Sequence, residues 1–148
     1  MLFAAVSFAD KKGRRIARVI EGPVPSWKFF CSAGSGQGEP ANGGSGKDYG
    51  LPRFASAEFT TNFPFAEIAL KDKKIPLKVK LNAWSPFIPG DADNSSLPAA
   101  AIEYTFENTG KEKIDAVFSF NTRNIMAVNK IPGTCVKPSQ RGFILCQG

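Results

Sequence analysis

The apolar residues of this chain recur at every second position, and no stretch sustains a 3.6-residue period. In "KDKKIPLKVKL", Leu77, Val79 and Leu81 alternate with Lys78 and Lys80. An extended strand then shows apolar side chains on one face and lysines to water on the other. In "AAAIEYTFEN", Ile102, Tyr104 and Phe106 share a face, and Glu103, Thr105 and Glu107 take the other. In "KIDAVFSFN", Ile114, Phe118 and Phe120 line up with Ala116 between them. "LFAAVSFA" and "RRIARVIE" flank the turn Asp10-Lys11-Lys12-Gly13, and "PSWKFFC" and "GFILCQ" add further strands. "AEFTTNFPFAEIAL" is broken or bulged at Pro64, because proline cannot donate to a ladder. Many short strands parted by turns predict an all-β fold, an antiparallel β-sandwich. Thirteen phenylalanines are expected to fill the space between its sheets.

The 148 residues fit one domain, 1–148. A chain of this size buries roughly 68–70% of its unfolded surface, so one real core is available. "SAGSGQGEPANGGSGKDYG" reads as a flexible Gly/Ser-rich loop over about 32–50 and not as a domain boundary. The start is apolar and then basic, the reverse of a secretory signal, and localisation stays unknown. No stretch approaches the roughly 20 apolar residues of a membrane span.

The net charge is +6 and the pI near 9.4. Its lysines alternate along strands or sit in a basic hairpin tip, "KKGRR", so they read as a solvated face and no nucleic acid is expected as a partner. The chain has no histidine, which removes the commonest general base and metal ligand. Of three cysteines, Cys135 and Cys146 have the spacing to pair across a hairpin; idle thiols are the simpler reading. No cofactor is indicated.

Several constellations invite chemistry. In "PGDADNSS", Asp91, Asp93 and Asn94 carry the oxygens calcium prefers, but the EF-hand glycine and closing glutamate are missing. Asp, Asn and Ser also bond their own backbone in turns, and a self-bonded structural corner is the preferred reading. Asn94-Ser95-Ser96 is formally a glycosylation sequon. Glycoside hydrolysis needs two carboxylates about 5–9.5 Å apart. Glu103 and Glu107 share a strand face about 13 Å apart, which is too far. Asp91 and Asp93 have no apolar wall to raise either pKa. "GSGQGEP" lacks the lysine and helix of a phosphate loop. Trp27 and Trp84 are candidates for core positions or for sugar-stacking platforms.

The stretch from "FPFA" (Phe63–Ala66) through "IPLKV" (Ile75–Val79), "SPFIP" (Ser85–Pro89), "DNSSLPAA" (Asp93–Ala100) and "FSFN" (Phe118–Asn121) strongly resembles the N-terminal domain of glycoside hydrolase family 116. This is the non-lysosomal glucosylceramidase, or bile acid β-glucosidase, type. "EGPVPSW" and "GLPRF" are compatible with its bacterial members. The resemblance runs from about Phe3 to about Leu145 and implies a supersandwich-like β-sandwich beside a C-terminal (α/α)6 catalytic barrel. That barrel holds the family's glutamate nucleophile and aspartate acid/base for retaining hydrolysis of β-glucosides, and none of these carries over to this chain. By the same resemblance the chain is a fragment, lacking the family's opening and later strands. Unpaired strand edges then predict self-association. The stiff corner of Trp84, Pro86, Phe87, Asp91, Asp93, Asn94, Ser95 and Ser96 is expected to contact the barrel. Two functions follow: a non-catalytic domain supporting a β-glucosidase or glucosylceramidase-like enzyme, or a carbohydrate-binding module with its own glucan affinity and an exposed tryptophan.

Overall fold

A computed structural model describes residues 2–24, 51–122, 124 and 134–146. In chain order the elements are β1 (Leu2–Ala9), β2 (Arg15–Val19), β3 (Ser56–Asn62), β4 (Phe65–Lys71), β5 (Leu77–Trp84), a single turn of helix α1 (Ala92–Ser95), β6 (Ala101–Asn108), β7 (Ala116–Thr122), β8 (Cys135–Ser139) and β9 (Gly142–Cys146). One sheet has the order β2-β1-β7, a second the order β3-β4-β5-β6, and β8-β9 is a separate hairpin. Every pairing between these strands is antiparallel. The expected all-β sandwich is therefore the fold. "PSWKFFC" with Trp27 and the Gly/Ser-rich stretch fall outside the described residues.

Turn chemistry fixes the first hairpin. The Asp10 carboxylate accepts the N–H groups of Lys12 (2.9 Å) and Arg14 (2.8 Å), and Gly13 takes φ 74°, where only glycine is unstrained. These bonds, led by the Arg14 N–H, hold Asp10 below the ordinary carboxylate pKa. Alternation along β1 then buries Ala4, Val6 and Phe8, which meet Leu70, Leu77 and Val79 of the second sheet. Phe54, only 1% exposed, plugs the core beside Ile20 and Ile75. Burying a phenylalanine this completely contributes about 1.5–3 kcal/mol.

Two ion pairs brace the core. Arg18 Nε of β2 lies 2.9 Å from Asp72 Oδ2 in the β4–β5 turn, so it ties the two sheets together. Asp72 Oδ1 accepts the Lys74 N–H at 2.9 Å. Burial pushes the Asp72 pKa up, but the Lys74 and Arg18 hydrogen bonds and charges outweigh it and hold the group below its ordinary value. Arg53 Nε binds Glu21 Oε2 at 3.0 Å.

One expectation needs correction, one is narrowed, and two elements were not foreseen. Of the two readings of Pro64, a break holds and a bulge does not: with Phe63 it forms the turn between β3 and β4, whose closing pair is Asn62↔Phe65. The phenylalanines do not fill the core. Among those described only Phe8 and Phe54 are buried. Phe118 and Phe120 sit opposite Val6 and Ala4 and so share the inner face, as alternation requires, yet they remain 43% and 38% exposed. Among the described residues β6 and β7 are sheet edges, where fewer neighbours cover the inner face; Tyr104 and Phe118 touch there at a centroid distance of 5.0 Å. The corner holds a helical turn too short to show a period. Finally, β8 was missed because Pro138 lies within it, which a two-stranded ribbon tolerates on its unpaired side. Cys135 and Cys146 do face each other across that ribbon, and both are free thiols.

Candidate functional site

The corner links β5 to β6, which pair within one sheet and close at Trp84↔Ala101. It is held by its own side chains. Gly90 turns the chain at φ 82°. Asp91 caps α1: its Oδ1 accepts the Asn94 N–H at 3.0 Å, and its Oδ2 accepts from Asn94 Nδ2. Ser95 Oγ accepts the Ile88 N–H at 2.9 Å and donates to the Ile88 carbonyl at 3.1 Å. Ser96 Oγ donates to the Asp93 carbonyl at 3.0 Å. The Asn94 side chain first, and its N–H second, hold Asp91 below the ordinary carboxylate pKa. A general acid needs the opposite shift. Asp91 is thus a cap, and Asp93 is an exposed residue of the helical turn. Pro86 is half-buried, which stiffens the approach to the turn.

The aromatic residues of the corner divide into two groups. Phe87 packs edge-on against Phe63 of the β3–β4 turn, with ring centroids 4.8 Å apart. Phe63 is 73% exposed, and Ile88 and Leu97 are also exposed. Phe63 and Phe87 thus make an apolar tip where the β3–β4 turn meets the corner, and Ile88 and Leu97 are exposed on the same corner. Trp84 instead lies on the outer face of the four-stranded sheet, opposite Phe65, at a centroid distance of 6.5 Å. Both rings stay solvent-accessible.

Beside that pair the outer face hollows into a cleft of about 400 Å³, lined among others by Thr60, Asn62, Glu67, Asn82 and Glu103. Register brings Glu67, Asn82 and Glu103 side by side on three adjacent strands. Asn82 Nδ2 donates to Glu103 Oε2 at 3.2 Å, and Lys80 Nζ sits 2.6 Å from Glu67 Oε2. This polar row was invisible to a comparison of carboxylates along single strands; only the pairing of β4, β5 and β6 assembles it.

Fold and corner together define an antiparallel β-sandwich domain with an open cleft on one sheet face. Among the described residues no cluster of three metal-ligating side chains occurs, and no helix is long and apolar enough to cross a membrane. The chain belongs to the N-terminal domain family of family 116 glycosyl hydrolases: the family described as beta-glucosidase 2, glycosyl-hydrolase family 116 N-term, matches residues 3–142. The resemblance carried by "SPFIP" and "DNSSLPAA" is borne out. A comparison with curated proteins returns no match.

Proposed function

We propose that this chain is the non-catalytic β-sandwich of a retaining β-glucosidase of the glucosylceramidase type, and that its apolar tip docks on the (α/α)6 catalytic domain. The observation that carries the reading is the exposed group Phe63, Phe87, Ile88 and Leu97, set on a corner made rigid by Asp91 and Ser95. Large apolar side chains left exposed on one rigid corner are what an interaction site offers. A corner ordered beforehand also loses little entropy on docking. Asp91 is committed to its cap, which supports a reading in which the catalytic carboxylates lie in the other domain.

The test is hydrolysis of an aryl β-glucoside by the full-length enzyme and by this chain alone. The full-length enzyme is expected to cleave it and the chain to be inert. Phe63→Ser with Phe87→Ser in the full-length enzyme is expected to lower both its melting temperature and its rate. Cleavage by the chain alone, or a double variant indistinguishable from the parent, refutes the proposal.

A further inference from the structure

We infer that the cleft on the outer face of the β3-β4-β5-β6 sheet binds an uncharged pyranoside, the ring of a short β-linked glucan. The inference uses the face of the sheet and not the tip, so it stands or falls separately from the docking proposal.

The cleft has the volume of a small-molecule site, which typically runs about 300–1,000 Å³. Its walls are the rings of Trp84 and Phe65, tilted by 46° to one another. Trp84 is 39% exposed and Phe65 57% exposed, so neither ring is consumed by the core. Two residues along the strand, about 7 Å away, the polar row begins. An aromatic wall beside a polar row matches a pyranose, whose C–H face is apolar and whose rim is hydroxyl groups.

The charge balance selects a neutral ligand. Glu67 is answered by Lys80 at 2.6 Å. Glu103 is engaged on one oxygen by Asn82. That leaves Glu103 Oε1 and Asn82 Oδ1 as acceptors for hydroxyl donors, while Thr60 and Asn62 offer donors and acceptors from β3. A bare cation would have to compete with Lys80, and an anion would meet carboxylates. A polyol meets both donors and acceptors. The family's β-glucosidase description sets the choice of probe.

The experiment is a titration of the chain with cellotetraose, followed through the indole N–H and side-chain amide resonances. Saturable shifts are expected at the Trp84 indole and the Asn82 amide, with Kd on the order of 1 mM. Trp84→Ala is expected to weaken binding by about tenfold, the scale of one lost ring contact. Asn82→Ala, which leaves the aromatic wall intact, is expected to weaken it as well. The Phe63→Ser, Phe87→Ser chain is expected to bind as the parent does, which separates this site from the tip. No shift at about 20 mM sugar, well above the expected Kd, overturns the inference. So do shifts centred away from Trp84, or binding that both single variants leave unchanged.

Discussion

Asp72→Asn tests what joins the two sheets. The substitution preserves shape and keeps an amide oxygen for the Lys74 N–H, which Asp72 Oδ1 accepts at 2.9 Å. It removes the charge that faces Arg18 Nε at 2.9 Å, between side chains only 4% and 16% exposed. A charged hydrogen bond is worth about 1.5–3 kcal/mol, and stripping one partner from a fully buried pair costs about 3–5. Arg18 keeps some solvent and donates to the Ala17 carbonyl at 2.8 Å, so the loss is expected within the lower of these ranges, about 2–3 kcal/mol. The folded Asp72 pKa lies below the ordinary 3.8, so the native state favours the ionised form. Its contribution is complete above the unfolded value and disappears as pH falls through the folded one. Urea denaturation of parent and variant is the assay. At neutral pH the gap between them is expected to be full, and in acid below the folded pKa it is expected to shrink. A gap that is negligible at neutral pH, or that persists unchanged in acid, refutes the reasoning.

Other expectations can be checked by the same denaturation. Phe54→Ala is expected to cost about 3–5 kcal/mol, a large share of a domain's typical 5–15, because Phe54 is buried against both sheets. At Gly22 a Cβ would come within 2.5 Å of Ala57 Cβ, so Gly22→Ala is expected to destabilise by about 1–3 kcal/mol and Ala57→Gly to restore much of the loss. Gly90 has open space but φ 82°, so Gly90→Ala is expected to cost about 1–2 kcal/mol, with Gly90→Asn milder because asparagine tolerates that backbone.

The alternation of Leu77, Val79 and Leu81 with two lysines was legible because a strand's two faces meet opposite solvents. It correctly placed Phe118 and Phe120 on an inner face. It could not say that β6 and β7 are edges, since depth depends on what lies above a side chain. The corner was legible in part: Asp, Asn and Ser bonding their own backbone is local chemistry, and Asp91, Asn94 and Ser95 do so. The row Glu67, Asn82 and Glu103 was not legible. Its members lie on three strands, and a one-residue slip in either pairing would turn one of them to the other face.

The place of β1 has a consequence for how the chain is made. Leu2 pairs with Thr122, at opposite ends of the first two sheets' span in sequence. As the polypeptide emerges, β1 finds β2 at once through the Asp10 turn. Its other edge waits until β7 has been synthesised. During that interval one edge of β1 stays unpaired, and closure must meet the entropy of a very long loop. The nascent chain is therefore most prone to stray pairing between the synthesis of β1 and that of β7, at the strand that ends up in the centre of its sheet.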